Sequence, residues 1–469
     1  MHEHAATSSE HALSEAVWQA LVEGSRDRSR TPPPTLLGAP MVDDSALPVA
    51  AGATAAIATA LRAAGALLEA RNATTPVLSL HREQSLVAVT SERHFIVDHE
   101  PAPAMFAPLS RFWRAGDGWV RTHGNFPWHR DALLAALGCE GDPPSVARAI
   151  AERPAFEVEA SVMNAGGVAA AVRTLAEWQA HAQGRAVAEE PLVSHRALPH
   201  GRPRPREAAD LPARGVRVLD LTRVIAGPVC TRYLAALGAD VLRIDPLHRP
   251  DVAPGATADT LLGKRSAFVD LSTTSGRATL DELLASADVV VCGYRTGALD
   301  QFGLNPDELA ARHPGVVIVL LNAWGFTGPW AGRRGFDSVV QAPTGIGLLQ
   351  SSDGETPGAL PCQLLDHGTG YLAAAGALDG LRRQAAEGGT HVRRVSLART
   401  ASWLTSGHLM RTSTGTAASS RVVAEPWLQQ LDEHDHTTRA VGPPGVIDGA
   451  PLRWSRAGRY GADEAAWPT

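Results

Sequence analysis

The strongest constraint on the fold is a regular alternation of short apolar runs with helical patterns over residues 216–324. The runs are VRVLDLT, ADVLRID, SAFVDLS, DVVVCGY and GVVIVLLNAW, each short enough for a fully buried strand. Helical patterns lie between them, such as VCTRYLAALG, where Val229, Tyr233 and Leu237 recur at four-residue spacing before Gly238. Apolar strands that alternate with helices are typical of a parallel sheet covered on both faces. We therefore predict a doubly wound α/β domain.

Two stretches rich in Pro and Arg interrupt this pattern, SRDRSRTPPPT and LPHGRPRPREAADLPARG. Neither suits a helix or a sheet interior, because proline lacks an N–H group and fixes φ. Upstream of the second stretch, FWRAGDGWVRTHGNF has the pattern of a hairpin followed by helices, which predicts a small α+β domain. The predicted parts are a flexible segment (1–35), a first half with the small domain (36–197), a linker (198–214), a large domain (215–410) and a tail (411–469).

Composition excludes several classes of partner. The chain has 43 basic and 49 acidic residues and a net charge of −6, so no basic face for nucleic acid is expected. Its four cysteines, Cys139, Cys230, Cys292 and Cys362, are far apart in apolar runs, which indicates reduced thiols and no zinc site. The N-terminus lacks a signal-peptide pattern, and no apolar run reaches about 18 residues. We expect a cytoplasmic, bacterial protein without bound metal or membrane contact.

The ends of the predicted strands carry candidate ligand contacts. Residues 226–228 connect the first strand to a helix, whose free N–H groups attract phosphate. Lys264 and Arg265 precede another strand, where they could meet a ligand phosphate or belong to a solvated loop. Tyr294 and Arg295 follow a strand at its carboxyl end, the edge at which parallel sheets bind ligands. The segment NAWGFTGPW after the last strand suits either a turn at a site or a packed core.

The segment LLDHGTGYLAAAGALDGLRR places Asp366 at the start of an alanine-rich helix. Asp at this point is most simply an N-cap, because its carboxylate accepts hydrogen bonds from free N–H groups and opposes the helix dipole. An N-cap does not explain Gly368 and Gly370, each of which costs about 1 kcal/mol relative to Ala in a helix. We interpret these glycines as room for a bulky group to approach the carboxylate. No GxSxG or HExxH motif is present.

Taken together, the ordered motifs resemble the family III CoA-transferases, the family of formyl-CoA:oxalate CoA-transferase and carnitine CoA-transferase. The motifs are VLDLTRVIAGPVCTRYLAALGADVLRID, GKRSAFVDL, ADVVVCGYRTGALDQFGL, NAWGFTGPWAGRRGFDSVVQAPTGI and LLDHGTGYLAAAGAL. The resemblance implies a Rossmann-like large domain and the catalytic nucleophile at Asp366. It also implies coenzyme A contacts at Arg223, Val224, Ala226, Gly263, Lys264, Arg265, Tyr294, Arg295, Phe302, Asn322, Ala323 and Trp324.

The first half resembles the small domain of the same family, and ALRAAGALLEAR resembles a second, degraded copy of the helix that follows the catalytic Asp. That copy contains no matching Asp, so the chain is either a permuted single unit or a fused pair with one defective member. Three positions depart from the family pattern: Gly293 stands for a usual Asn, Pro246 for a frequent basic residue and Gln301 for a common Arg.

The implied reaction moves CoA from an acyl-CoA to a small carboxylic acid, with no cofactor beyond coenzyme A itself as substrate. Asp366 would attack the thioester and carry CoA as an aspartyl thioester, helped by a helix N-terminus that keeps it ionised and by N–H groups that stabilise oxyanions. The alternatives are a racemase of α-methylacyl-CoA and a non-catalytic acyl-CoA-binding protein. Phe336 replaces the His of the racemase GHD motif, which disfavours racemisation. Family members form interlocked homodimers, so a homodimer is expected.

Overall fold

The computed structural model describes residues 2–26, 29–41, 45–101, 105–251, 258–406, 422–433 and 436–468, with side chains from residue 10 onward. The strands are β1 (Thr35–Leu37), β2 (Leu78–His81), β3 (Ile96–Val97), β4 (Glu100–Pro101), β5 (Phe112–Arg114), β6 (Trp119–Thr122), β7 (Ala169–Ala171), β8 (Ser194–Leu198), β9 (Arg217–Leu221), β10 (Asp240–Asp245), β11 (Arg265–Phe268), β12 (Val289–Cys292), β13 (Val317–Asn322), β14 (Thr390–Ser396), β15 (Leu428–Glu433), β16 (His436–Val441), β17 (Val446–Ile447) and β18 (Ala450–Pro451).

The helices are α1 (His2–Val22), α2 (Val49–Asn72), α3 (Arg82–Ala88), α4 (Pro127–Leu137), α5 (Pro143–Ala151), α6 (Ala155–Asn164), α7 (Leu175–Ala180), α8 (Ala182–Glu189), α9 (Ala226–Ala236), α10 (Thr274–Leu284), α11 (Pro306–Arg312), α12 (Asp337–Val340), α13 (Ile346–Leu349), α14 (Leu364–Glu387) and α15 (Leu397–Leu404). A short 3-10 turn at Ser91–Arg93 belongs to the first half.

The large domain contains the doubly wound parallel sheet that the sequence predicts. Its seven strands lie in the order β11-β10-β9-β12-β13-β14-β8, and all neighbours are parallel except the pair β14 and β8. The order reverses between β9 and β12, and loops at such a point open a crevice at the carboxyl edge of the sheet. The turns after these two strands are the ones in which the sequence places candidate ligand contacts.

Two apolar clusters cover the two faces of this sheet. One includes side chains of α2, α9 and α14, and the other includes side chains of α10 and α11. Helix α14 is buried from Leu364 to Gln384 because the sheet, α9 and α2 surround it. A helix enclosed in this way carries apolar side chains on every face, which explains its alanine-rich sequence.

Glycines in α14 permit close packing between elements. A Cβ atom on Gly370 would lie 2.5 Å from the Ala226 carbonyl oxygen of α9, and one on Gly380 would lie 2.6 Å from Val317 of β13. A Cβ atom on Gly368 would make only ordinary contacts. The interpretation that Gly368 and Gly370 leave room for a ligand beside Asp366 is therefore wrong for Gly370, which is needed where α9 and α14 approach each other.

The predicted hairpin forms at β5 and β6, which pair antiparallel, and β7 adds a third strand. Helices α4, α5 and α6 pack on this small sheet around a separate core. Trp113 in this core donates a hydrogen bond from Nε1 to Thr122 Oγ1 at 2.7 Å, which satisfies the indole N–H in an apolar setting. The first half therefore contains the small α+β domain that the sequence predicts.

The two ends of the chain differ from the prediction. Residues 1–35 are predicted to be flexible, yet α1 packs against α2 through Val17, Trp18 and Leu21, because these side chains recur on one helix face. The predicted tail also forms structure: β16 pairs with β3, and β17 pairs with β2 of the first half. The predicted boundary between residues 410 and 411 lies outside the described residues.

The predicted linker (198–214) connects β8 to β9 within one sheet, so it does not separate two sheets. Arg71, at the end of α2, donates hydrogen bonds to the carbonyl oxygens of Glu207, Pro212 and Arg214 at 2.7 to 2.9 Å. Proline-rich backbone has few internal hydrogen bonds, and these contacts satisfy its carbonyl groups.

Helix α2 has the length and composition of a membrane span, with a mean hydropathy of 1.4 over its best window. It is the one such helix in the described part of the chain, and 89% of that window is buried inside the protein. Burial against α14 gives an apolar core helix the same composition.

We predict that residues 214–469, expressed alone, will be poorly soluble or inactive. This fragment lacks α2 and β8, so apolar side chains of α14 and one edge of the sheet would face water. Solubility and CoA transfer should be measured for the fragment, for the full chain and for the fragment co-expressed with residues 1–213, which we expect to restore activity in part. A soluble, fully active fragment would show that the first half is dispensable.

Candidate active site

A pocket of about 250 Å³ lies in the crevice where the strand order reverses. The loops after β9, β12 and β13 border it, and the small domain and the N-terminal turn of α14 complete it. Its lining residues are Phe126, Trp128, His129, Arg223, Val224, Ala226, Arg249, Gly293, Tyr294, Arg295, Ala298, Leu321, Asn322, Ala323, Arg333, Arg334, Gly335, Phe336, Asp366 and Leu397. Five of these residues are arginines, so the pocket is strongly cationic.

Three of the arginines have no anionic partner. The side chains of Arg249, Arg295 and Arg334 make no hydrogen bond or ion pair with any residue that the structure describes. Burial and the neighbouring Arg334, Arg223, Arg249 and Arg295 lower the pKa of His129 to about 4, so this imidazole is neutral. A group of unpaired guanidinium groups in a pocket is suited to bind phosphate.

The small domain supplies one wall of this pocket. The guanidinium carbon of Arg223 lies 4.9 Å from the ring centroid of Phe126 and 5.7 Å from that of Trp128. Arg249 lies 5.8 Å from the ring of Trp128. These cation–π contacts hold the side chains of the large domain against the small domain.

Asp366 lies in the first turn of α14, at the bottom of the pocket. It is buried, and its backbone N–H donates a hydrogen bond to Asp337 Oδ2 at 2.9 Å. Gln341 Nε2 donates to the other oxygen of Asp337 at 2.5 Å. The carboxylate of Asp366 itself makes no hydrogen bond with a described residue, so it is free to react.

The local charges disfavour ionisation of Asp366. Burial, followed by repulsion from Asp337 and Glu92, raises its pKa well above the usual range. Burial also raises the pKa of Asp337 to about 6, although the N–H group of Asp366 and the amide of Gln341 oppose that shift. The expectation that the helix N-terminus keeps Asp366 ionised is therefore wrong, because the N–H group of Asp366 is bound to Asp337 and two carboxylates lie nearby.

A second cavity of about 50 Å³ lies on the other side of Asp366. Asp366, Val224 and Phe336 border both cavities, and His123 stacks on Phe336 with their ring centroids 3.8 Å apart. Glu92 of the first half accepts a hydrogen bond from His367 Nε2 at 3.1 Å. Asp366 thus stands between an open cationic pocket and a small enclosed cavity.

Val224 adopts a backbone conformation that a β-branched residue rarely has, with φ of 70°. Its N–H group donates a hydrogen bond to Asp251 Oδ2 at 3.0 Å. Such strain costs about 1–3 kcal/mol and persists where the surrounding structure enforces it, often beside an active site. Here it turns the chain after β9 so that Arg223 and Ala226 both face the pocket.

Seven of the twelve coenzyme contacts implied by the resemblance line the pocket beside Asp366: Arg223, Val224, Ala226, Tyr294, Arg295, Asn322 and Ala323. All of them follow the carboxyl end of a strand, which is the position that ligand binding in a parallel sheet requires. Burial raises the pKa of Tyr294 well above its usual value, so its hydroxyl stays protonated.

Lys264 and Arg265 do not reach the pocket. Lys264 is fully buried, and its Nζ pairs with Asp220 Oδ2 at 2.9 Å. A buried ammonium group needs such an anionic partner. Arg265 pairs with Asp240 at 3.0 Å and donates to the Ala466 carbonyl oxygen at 2.6 Å, because it lies at the amino end of its strand. Neither side chain lines the pocket beside Asp366.

Gly263, Phe302 and Trp324 also lie outside the pocket. Gly263 has φ of 77° and approaches Ala235, so its role is conformational. Phe302 packs on the core beneath β12, and Trp324 is buried, with its Nε1 donating to the Arg334 carbonyl oxygen at 3.0 Å. Trp324 is therefore part of the packed core, which is one of the two roles that the sequence allowed for its segment. Its hydrogen bond holds the loop that carries Arg334.

One departure from the family pattern has a structural reason. A Cβ atom on Gly293 would lie 3.0 Å from the Cβ of Thr222, so the larger Asn would not fit without a shift. Gln301 is exposed, and its Nε2 lies 3.4 Å from the Ala298 carbonyl oxygen, outside the pocket lining.

Reasoning from sequence predicts that the first half covers Asp366, but it did not identify which residues of the first half reach the site. Glu92, His123, Trp128 and His129 border the two cavities, although more than 200 residues separate them from Asp366 along the chain. The signal was present in HGNFPWHR, which combines histidine, aromatic and arginine residues directly after the hairpin. That local pattern does not specify which distant segments of the chain contact each other.

Residues 214–432 match the family model of CoA-transferase family III. An "Acyl-CoA transferase" of Gibberella moniliformis is 31% identical over 321 residues, which cover 63% of this chain and 56% of that protein. A "Probable fatty acyl-CoA transferase" of Mycobacterium tuberculosis is 31% identical over 234 residues, which cover 46% and 57%. The chain therefore spans a little over half the length of these relatives.

Among solved structures, a CAIB/BAIF family protein from Brucella suis superposes with a TM-score of 0.40 at 26% identity and covers 49% of this chain and 65% of that one. The match to the family model begins just before β9 and includes the whole of α14, and so it covers the strands, turns and helix that place Asp366. Residues 214–432 are therefore similar to CoA-transferase family III over the segment that places Asp366.

Proposed function

We propose that this protein is a CoA-transferase that moves CoA from an acyl-CoA thioester to a carboxylic acid through covalent catalysis by Asp366. The observation that carries this proposal is the position of Asp366, which has a free carboxylate at the junction of an arginine-lined pocket and a small enclosed cavity. The pocket suits the phosphates of coenzyme A, and the cavity suits the acyl group.

In the proposed reaction, ionised Asp366 attacks the thioester carbonyl, and CoA leaves as a thiolate. The thiolate then attacks the aspartyl carbonyl of the mixed anhydride, which releases the donor acid and leaves CoA on Asp366 as a thioester. An acceptor carboxylate attacks that thioester, and a second exchange returns Asp366 and forms the new acyl-CoA. Each step has a good leaving group, so the carboxylate replaces one slow exchange by several faster ones.

Burial of Asp366 supports this chemistry in two ways. A desolvated carboxylate is a stronger nucleophile than a hydrated one, and a mixed anhydride survives only where water is excluded. The first half provides that exclusion, because Glu92 and His123 close one side of the site and Phe126 closes the other.

The alternative function is racemisation of an α-methylacyl-CoA, which needs two groups that exchange a proton at carbon. Phe336 is not a base, but His123 stacks on it and borders the same cavity as Asp366. Burial, His129 and Arg121 lower the pKa of His123 well below its usual range, so its protonated form is disfavoured. A weakly basic imidazole suits proton transfer at carbon poorly, and we therefore favour CoA transfer.

We further propose that the protein is a cytoplasmic bacterial homodimer that uses acyl-CoA and a small acid without metal or redox cofactor. The cysteines are free thiols, as expected in a reducing compartment. Acyl exchange at a carboxylate needs no electron transfer. Size-exclusion chromatography with light scattering would measure the oligomeric state directly.

We predict that Asp366→Asn lowers CoA transfer on the order of 10³-fold or more, because the amide keeps the size of the side chain but removes the nucleophile. The assay should supply several acyl-CoA donors and acids, and mass spectrometry should detect a CoA adduct on Asp366 in the wild type only. The value of kcat/KM for the wild type should rise with pH, because only ionised Asp366 reacts and its pKa is raised.

Undiminished transfer by Asp366→Asn would contradict the mechanism. Rapid deuterium incorporation from solvent at the α-carbon of a 2-methylacyl-CoA, without CoA transfer, would favour the racemase. Binding of CoA with neither reaction would favour a non-catalytic protein.

We also predict that Asp366→Asn increases the free energy of unfolding at pH 8 by about 0.5–2 kcal/mol. The pKa of Asp366 is higher in the folded state than in the unfolded state, so ionisation destabilises the fold above both values. The gain should shrink as the pH falls through about 4 and disappear below about 3, where the carboxyl group is protonated in both states. Chemical denaturation at several pH values would measure it.

Asp353→Asn provides the matched control for this stability measurement. Asp353 is exposed, and hydrogen bonds from the N–H groups of Thr356 and Glu355 lower its pKa. Replacement of Asp353 by Asn should not increase the free energy of unfolding. An equal increase in the free energy of unfolding for both variants, or a decrease for Asp366→Asn, would contradict the conclusion that neighbouring carboxylates destabilise ionised Asp366.

Replacement of an arginine tests whether the pocket binds phosphate. Arg295→Ala should raise KM for an acyl-CoA about tenfold, because it removes a charge-assisted contact to phosphate. It should leave KM unchanged for the N-acetylcysteamine thioester of the same acid, which lacks phosphate. Arg265→Ala, outside the pocket, serves as the control and should change neither value. A change in KM for both thioesters, or none for either, would contradict phosphate binding by Arg295.

A further inference from the structure

The second cavity beside Asp366 has the properties of a specific ligand site. Both halves of the chain enclose it, and it is lined by Glu92, Met105, Phe106, His123, Asn125, Val224, Ile225, Asp259, Thr260, Phe336, Asp337, Ser338, Gln363, Asp366 and His367. About 50 Å³ of space admits a short chain of a few atoms and excludes a long acyl chain.

Five buried side-chain atoms without hydrogen-bond partners belong to residues that line this cavity. Among the described residues, these atoms of the lining are Glu92 Oε1, His123 Nδ1, Asp259 Oδ1, Ser338 Oγ and His367 Nδ1. Four of these five side chains are more than nine-tenths buried, and the fifth, Glu92, is nearly so. Native proteins leave few such atoms unpaired, so five around one cavity indicate a polar ligand or ordered water.

Three of these five atoms, the two carboxylate oxygens and the serine hydroxyl, can accept a hydrogen bond, and the carboxylate oxygens can only accept. His367 Nε2 donates to Glu92 Oε2 at 3.1 Å, which leaves Nδ1 as the ring nitrogen without a partner. A ligand that matches this set must therefore donate hydrogen bonds into the cavity.

The charge of the lining excludes a second negative group on the ligand. Carboxyl groups of Glu92, Asp259 and Asp337 border the cavity, and no Lys or Arg does so among the described residues. Arg232 is close, but it pairs with Asp259 at 2.6 Å. Arg121 lies over the rings of Phe106 and Phe112, at 5.2 Å from each centroid, and is not part of the lining.

On the basis of the proposed CoA transfer, we propose that this cavity selects a short carboxylic acid whose chain carries a hydrogen-bond donor, an ammonium or hydroxyl group, and no second negative charge. The reacting carboxylate lies against Asp366, the aliphatic carbons contact Met105, Phe106 and Ile225, and the donor reaches Glu92 and Ser338. A site with unpaired acceptors rejects an analogue that lacks the donor, because those acceptors then stay buried without a partner.

A matched acid series tests this selectivity. CoA transfer from one acyl-CoA donor should be measured with 4-aminobutyrate, 4-hydroxybutyrate, butyrate and succinate, which differ mainly in the terminal group. We expect kcat/KM for an acid with a donor to exceed those for butyrate and succinate about tenfold or more. The order of the first two acids shows whether the donor is an ammonium or a hydroxyl group. Equal or faster use of butyrate or succinate would overturn the inference.

Glu92→Gln tests whether the cavity determines this selectivity. It keeps the shape of the side chain but removes an anionic acceptor, so the preference for the donor-bearing acid over butyrate should fall about tenfold. Glu157→Gln, an exposed change in the small domain, should leave the preference unchanged. Should Glu92→Gln fail to fold, Ser338→Ala replaces it, because Ser338 Oγ has no partner to lose, and it should also reduce the preference. An unchanged preference in a folded variant would overturn the inference.

The experiments distinguish failure of the proposed CoA transfer from failure of the proposed ligand site. If no acid accepts CoA, CoA transfer is wrong, and saturation-transfer NMR of the four acids with the whole protein then decides the inference by itself. Binding of the donor-bearing acids, weakened by Glu92→Gln, would support the site. Equal binding of all four acids, or binding of none, would overturn it.

Discussion

The structure depends on the complete burial of α14. From Leu364 to Gln384 the helix has no exposed face, so every side of it must be covered by another element. The parallel sheet covers one side and α9 a second, while α2 of the first half covers the third. This constraint holds Asp366 at the carboxyl edge of the sheet, and it makes the first half part of the same folding unit as the large domain.

The two aspartates of α14 show how environment decides the state of a carboxyl group. Asp379 pairs with Arg382, Arg383 and Arg393, and its pKa is lowered although it is buried. Asp366 has no such partner, and burial together with neighbouring carboxylates raises its pKa. A carboxylate in the first environment stabilises the fold, whereas one in the second remains available as a reactive group at a cost in stability.

The sequence predicts the central sheet well because each strand and each turn is specified locally. The runs from Val218 to Leu321 alternate with helices, and the turns after β9, β12 and β13 carry the residues that line the pocket. Lys264 and Arg265 lie at the start of a strand, where local pattern does not distinguish a buried ion pair from a ligand contact. Asp366 could be singled out only through its place in a family motif, because an N-cap has the same local pattern.

The residues that the first half contributes to the site could not be predicted, since their positions depend on contacts between distant segments. Pairing of β14 with β8, and of β16 and β17 with strands of the first hundred residues, joins the ends of the chain around the large domain. Resemblance identified the small domain but did not place Glu92 or His123 beside Asp366. A pattern of residues specifies an element, and the packing of elements specifies a site.

The charge distribution explains why one carboxylate stands between two cavities of opposite character. The larger pocket carries unpaired arginines, which would hold the polyanionic nucleotide of an acyl-CoA, whereas the smaller cavity carries carboxyl groups. A thioester that spans both must place its carbonyl near Val224 and Phe336, which border both cavities and lie beside Asp366. For the proposed reaction, the two charge distributions would align an acyl-CoA, because the arginines attract its phosphates and the carboxyl groups repel them. The reactive carbon would then lie beside Asp366.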